Sequence, residues 1–307
     1  MKKAYFYIDY TIWVLRELTR TKPASIFDVP LFSALKKGHD EYGLKVQFNM
    51  FYRTDSFYGY DEFSLADVTD AYKAEFEGAS DWLKFAFHAL EEFPDYPHIN
   101  ATYEDTKWLF ESIKKEVYRF AGEKSFAWAV CPHWVPMSKA GVKALYDCGV
   151  RVLDATRGEV FEYNGDPATL PYGHAARLLN NRQPETKLFS RGGRDVAIDN
   201  SICAYNHIST EGFNKTIDNL GVIEDSETGM KLKTFCRGCL NLIPYDEIEG
   251  DFEKLIDGEY IGICDHEQYF YPEYFAYQPD YAEKIYKMCE ILLKNDYEFF
   301  FLEEIEK

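Results

Sequence analysis

FAFHALEEF, residues 85–93, is the stretch on which the reading of this chain turns. An apolar run stops abruptly at His88, and Glu92 follows four residues later. A histidine that closes a strand is either packed and hydrogen-bonded in place or is one ligand of a metal, with Glu92 as the next. What closes the other apolar runs decides between the two readings.

Outward from this run, strand-like and helix-like segments alternate. AYFYI (4–8) has the Tyr, Phe and Ile content of a buried strand. Residues 28–43 predict a helix, with Asp28 as cap, Pro30 in the first turn, Leu31 and Leu35 on one face, and Gly43 as the stop. KVQFNMFY (45–52) and WLKFAF (82–87) are the second and third strands, with a further helix between them in 58–80. Thr102 and Asp105 have capping-box spacing ahead of a helix whose buried face is Leu109, Ile113, Val117 and Phe120, ended by Gly122. SFAWAV (125–130) is strand four. Ser138 caps the next helix, Gly149 ends it, and VRVLD (150–154) is strand five. Residues 155–195, richer in Gly, Pro, Asn and Arg, read as a long insertion. VAIDNSICAY (196–205), a piece of 231–243, and EYIGIC (259–264) are later strands. A last helix leads to YEFFFL (297–302).

Strand–helix alternation implies parallel pairing, because each helix carries the chain back to start the next strand. Seven or eight such units without a linker-like segment predict an α/β fold, a (β/α) barrel, as one domain over 1–307.

In such barrels chemistry gathers at the carboxyl ends of strands. Here those ends carry Asp9-Tyr10, Tyr52-Arg53, His88, Cys131-Pro132-His133-Trp134, Asp154, Asn206-His207 and Asp265-His266-Glu267. Four of the seven histidines fall there, and histidine is both the usual acid–base group near neutrality and a common metal ligand. Any one of them is accounted for by packing; the set points to a site that includes Asp9, His88 and His266. His39 and His98 read as structural, and His174, inside the insertion, is assigned to neither class.

Composition narrows the partners. A net charge of −18 argues against nucleic acid or an anionic membrane surface. No run of 18 apolar residues is present, so nothing spans a bilayer. MKKAYFYIDYTIW begins like a signal peptide, but Asp9 and Arg16 interrupt it and no small-residue cleavage site follows. Seven cysteines, an odd number spread along the chain, suit reduced thiols in a cytoplasm. Cys236-Arg-Gly-Cys239 lacks the second pair that a structural zinc site needs. Aromatic residues make up 17% of the chain, which suits a cleft for sugars or other ring-like ligands.

These landmarks resemble the polysaccharide deacetylases, the NodB-like carbohydrate esterases. FYIDY resembles their opening strand, with Asp9 at the first of two aspartates. His88-Ala-Leu-Glu-Glu92 has the spacing of their His-Ser/Thr-x-x-His motif. Ile263-Cys264-Asp265-His266 is similar to their Leu-His-Asp segment, and ILLKNDYEFFFLEEI (291–305) looks like their closing helix and strand. The departures are Tyr10 at the second aspartate, Glu92 at the second histidine, and Cys131-Pro132-His133-Trp134 in place of an Arg-Pro-x-Tyr-Gly stretch.

The resemblance implies a distorted barrel and a hydrolase removing an N- or O-linked acetyl group from a small-molecule or oligosaccharide substrate. It implies a divalent metal, zinc foremost, held by His88 and Glu92 with Asp9. Asp9, where it is not a ligand, would be the base and His266 the acid. Tyr10, Trp13, His133, Trp134, His207 and Glu267 would line the substrate cleft. Two other classes stay open: a barrel that binds carbohydrate without cutting it, favoured by Tyr10, and a metal-independent glycosidase with Asp9 and Glu267 as paired carboxylates. The latter needs carboxyl groups about 5 Å or about 6.5–9.5 Å apart. Oligomerisation is compatible with all three.

Overall fold

The long first strand, β1 (Lys2–Thr11), organises the molecule because it is buried nearly throughout and paired on both edges. The computed structural model describes residues 2–54, 62–92, 97–98, 101–134, 137–154, 222–233, 236–256, 258–274 and 276–306. On one side of β1 lie β2 (Val46–Phe51) and then β3 (Leu83–Ala89). On the other side lie β9 (Tyr260–His266) and then β8 (Cys236–Cys239). β10 (Tyr297–Phe299) pairs with the start of β1, and every ladder in this sheet is parallel.

A second sheet contains β4 (Ala129–Val130), β5 (Val152–Leu153), β7 (Lys231–Leu232) and β6 (Ile223–Glu224), of which only the β6–β7 pair is antiparallel. The two sheets join where Phe126 bridges Phe85 of β3 and the Ala127 amide donates to the Phe85 carbonyl at 2.8 Å. The order β8-β9-β1-β2-β3-β4-β5-β7 follows from these contacts, and the fold is the expected α/β, (β/α)-barrel type. Among the described residues no ladder links β7 to β8.

The helices are α1 (Trp13–Thr21), α2 (Pro30–Tyr42), α3 (Lys73–Gly78), α4 (Tyr103–Phe120), α5 (Lys139–Asp147), α6 (Ile248–Leu255) and α7 (Tyr281–Lys294). No described helix is long and apolar enough to cross a membrane. Thr102 caps α4 by accepting from the Asp105 amide, and Ser138 caps α5 by accepting from that of Gly141. Gly43 ends α2 at φ 69°, in the left-handed region where a glycine is at no disadvantage.

Between β2, β3 and the helices, Phe32, Phe48, Phe76, Phe85 and Phe120 form a chain of edge-on and stacked rings 5.3–6.0 Å apart. Packing of this density, with each ring removed from water, is the main term holding sheet to helices.

Several expectations are corrected. Asp28 does not cap α2; its carboxylate reaches back to the Ser25 amide at 2.9 Å and closes a 3-10 turn over Ile26–Asp28. The helix α1 has no counterpart in the sequence pattern, because its start carries no side-chain cap of its own. Strands four and five shorten to two residues each, and the closing strand stops at Phe299 before a 3-10 turn over Leu302–Glu306. The insertion at 155–195, the strand at 196–205, His174 and His207 lie outside the described residues.

Candidate active site

Asp9 and His266 are direct partners in the parallel β1–β9 register. Partners in a parallel ladder send their side chains to the same face, so the two strands deliver an acid and an imidazole side by side. Just past Asp9 the β1–β2 register shifts between Ile8 and Thr11, and Tyr10 adopts φ 65°. A left-handed backbone is unusual for an aromatic residue and costs about 1–3 kcal/mol. The bulge turns the Tyr10 ring inward. It stacks on Phe51 at 5.0 Å and meets His133 and His266 edge-on at 4.8 and 4.6 Å. His88 lies 5.8 Å from it.

Beneath Tyr10 runs a buried polar chain. Gln47 donates to Asn49 at 2.8 Å, and Asn49 donates to Asp9 Oδ1 at 2.6 Å. Asp9 Oδ1 is 3.8 Å from His88 Nδ1, which itself donates to the Cys131 carbonyl at 2.7 Å. His88 Nε2 faces His133 Nδ1 at 3.2 Å, and His133 Nε2 donates to the Glu92 carbonyl at 3.0 Å. His98 Nε2 donates to the His88 carbonyl at 2.6 Å, which fits its structural reading. Burial lowers all three rings: His88 to about 3, His98 to about 4, and His133 well below the ordinary histidine range, with His88 adding to the last.

His266 is held separately. Its Nδ1 meets Asn241 Oδ1 at 2.9 Å and its amide donates to Asp265 Oδ1 at 2.8 Å. Burial pushes the Asp265 carboxyl up to about 8. Cys264, two residues earlier, lies with its sulfur 2.7 Å from that of Cys239 across the β8–β9 ladder, so the latter half of the Cys-x-x-Cys faces a neighbouring strand.

Two expected cleft residues have other employment. The Glu267 carboxylate accepts from the amides of Ile12, Trp13 and Val14 at 2.8, 2.7 and 2.6 Å and caps the start of α1. Burial pushes its pKa up to about 7, against the pull of those three donors. Both carboxylate oxygens of Glu267 are thereby committed to the start of α1. Trp13 is core, packed against Tyr271 and Tyr274 with the Arg16 guanidinium over its ring. Trp134, at φ 58°, lies 6.1 Å from His133, and His133 is fully enclosed rather than lining a surface.

Sequence reasoning passed over Gln47, Asn49 and Asn241. For the first two a signal existed, since polar residues at period two inside KVQFNMFY share one face of a buried strand. Asn241 sits in the turn after β8 and carried none.

The expected metal set of Asp9, His88 and Glu92 does not fit as an ion-holding group. Among the described residues no three or more His, Cys, Asp or Glu side chains converge to hold a metal. The reason is visible at His88: Asp9 lies on its Nδ1 edge, whose hydrogen goes to Cys131, so a metal on Nε2 faces away from Asp9.

No protein-family model and no curated protein matches this chain. Among solved structures, 4-alpha-glucanotransferase from Thermococcus litoralis aligns with the whole of this chain at 12% identity and a TM-score of 0.54. The chain spans 40% of that protein's length, and the likeness is one of fold.

Proposed function

We propose that this protein is a hydrolase acting on a carbohydrate-type substrate, and that its reaction is removal of an acetyl group. The observation that carries the reading is the register pairing of Asp9 with His266 beside Tyr10, at strand ends where barrels of this type do their chemistry. The fold likeness to an enzyme named for a glucan supports the substrate class. A reducing, cytoplasmic setting is part of the same reading.

Asp9, oriented by Asn49, takes a proton from water as the water oxygen attacks the acetyl carbonyl carbon. His266 gives its Nδ1 hydrogen to Asn241, so Nε2 is the nitrogen that exchanges a proton with the leaving group. As the C–N or C–O bond breaks, protonated His266 delivers that proton to the departing amine or alkoxide, leaving acetic acid, which ionises to acetate as Asp9 loses its proton to solvent and His266 regains one.

A second reading, carbohydrate binding without cleavage, is favoured by the Tyr10 ring seated among Phe51 and three histidines with 7% of its surface exposed. Acetate release from acetylated oligosaccharides, set beside calorimetric binding of the same sugars, separates the two. Release that disappears in Asp9→Asn supports hydrolysis; binding with no release supports the second reading.

A further inference from the structure

We propose that His88 and His133 together form a two-nitrogen binding site for a divalent transition-metal ion of the zinc type, held between His88 Nε2 and His133 Nδ1. This ligand pair differs from the Asp9, His88 and Glu92 set, and it does not depend on the hydrolysis reading.

The argument is one of hydrogen accounting. A carbonyl oxygen only accepts, so the ring nitrogen facing it must carry the hydrogen. His88 Nδ1 faces the Cys131 carbonyl at 2.7 Å, and His133 Nε2 faces the Glu92 carbonyl at 3.0 Å. A neutral imidazole has a single N–H. The other nitrogen of each ring is thereby left as a lone pair, and these two atoms lie 3.2 Å apart. Two lone pairs at that separation repel unless a cation sits between them.

The geometry suits a metal in three respects. Zn–N bonds of 2.0–2.1 Å at tetrahedral angles give an N···N edge of about 3.3–3.4 Å, and the observed edge is 3.2 Å. Metal-ligating histidines ordinarily donate their second ring N–H to a carbonyl or carboxylate, which fixes tautomer and ring orientation. Both rings have that anchor already. The rings also stand at 63° to one another rather than stacked face to face. Two backbone segments supply the pair, the end of β3 and the stretch after β4, and the His133 amide donates to the His88 carbonyl at 3.4 Å. With two protein nitrogens, the remaining coordination positions fall to water or a ligand oxygen.

The test uses the full chain, stripped with chelator and reloaded separately with zinc and with cobalt(II). Elemental mass spectrometry and the visible cobalt bands are read on the wild type, His88→Gln, His133→Gln and, as a control at a neighbouring histidine outside the pair, His266→Gln. The expected result is one equivalent in the wild type and in His266→Gln, with loss of metal and of the cobalt bands in both pair variants. A wild type that takes up neither ion, or pair variants that keep a full equivalent, overturns the site. Should a pair variant fail to fold, nitrogen-15 imidazole spectra of the wild type decide the matter. Zinc-induced shifts confined to His88 Nε2 and His133 Nδ1 uphold the pair, and a shared proton unaffected by zinc overturns it. None of these readouts involves turnover, so failure of the hydrolysis reading leaves them unaltered.

Discussion

Asp9 and His266 occupy matched positions on neighbouring parallel strands, one tied to Asn49 and the other to Asn241. Separate anchors on separate strands hold the acid and the imidazole in a fixed relative placement.

Asp9→Asn and His266→Gln each remove one proton-transfer group while keeping a similar shape. Each is expected to lower acetate release by about 10²–10⁴-fold, the usual contribution of a positioned acid or base. Steady-state assays on acetylated oligosaccharide, with circular dichroism as a fold control, check this. Variants with undiminished turnover would exclude the pair from the chemistry.

Glu267 predicts a purely structural defect. Its carboxylate satisfies three amides at the start of α1, and hydrogen bonds to a charged group are worth about 1.5–3 kcal/mol each. Glu267→Ala strands three buried donors and is expected to destabilise the fold by about 3–5 kcal/mol, the range for breaking a buried charged arrangement. Glu267→Gln, which retains one acceptor oxygen, should cost less. Urea unfolding measures both, and an alanine variant as stable as the wild type contradicts the capping role.

His98 predicts a pH dependence. Its folded pKa is lowered by burial to about 4, while an unfolded histidine titrates near 6.5. The unfolded chain therefore binds the proton first as pH falls, and stability is lost between about 6.5 and 4, by up to ~1.4 kcal/mol per pH unit from this group. His98→Gln should flatten that slope in urea midpoints taken across the window. An unchanged slope would show that His98 does not carry the effect.

Phe85 tests the core. It stands in the middle of the ring chain, touching Phe48, Phe76 and Phe120, so Phe85→Ala leaves a cavity that three rigid neighbours fill poorly. A loss of about 3–5 kcal/mol is expected from denaturant unfolding. A loss below about 1 kcal/mol would mean that the cluster relaxes around the gap, as volume-tolerant sites do.

The sequence by itself determined the strand–helix rhythm, the parallel sheet, the caps at Thr102 and Ser138 and the stop at Gly43. Each of these depends on residues within about one turn of one another, so the information is local. It also marked the strand ends at which Asp9, His88, His133 and His266 gather. Tertiary structure alone decided what those residues touch. The cap of α1 comes from Glu267, more than 250 residues along the chain, and no local pattern at Ile12 announces it. Likewise, His88 and Glu92 share a sequence spacing, yet the nitrogen that meets His88 belongs to His133, after the next strand. The reason is geometric: a parallel barrel brings together the ends of separate strands, and ring orientation is set by whichever backbone carbonyl lies within reach, here those of Cys131 and Glu92.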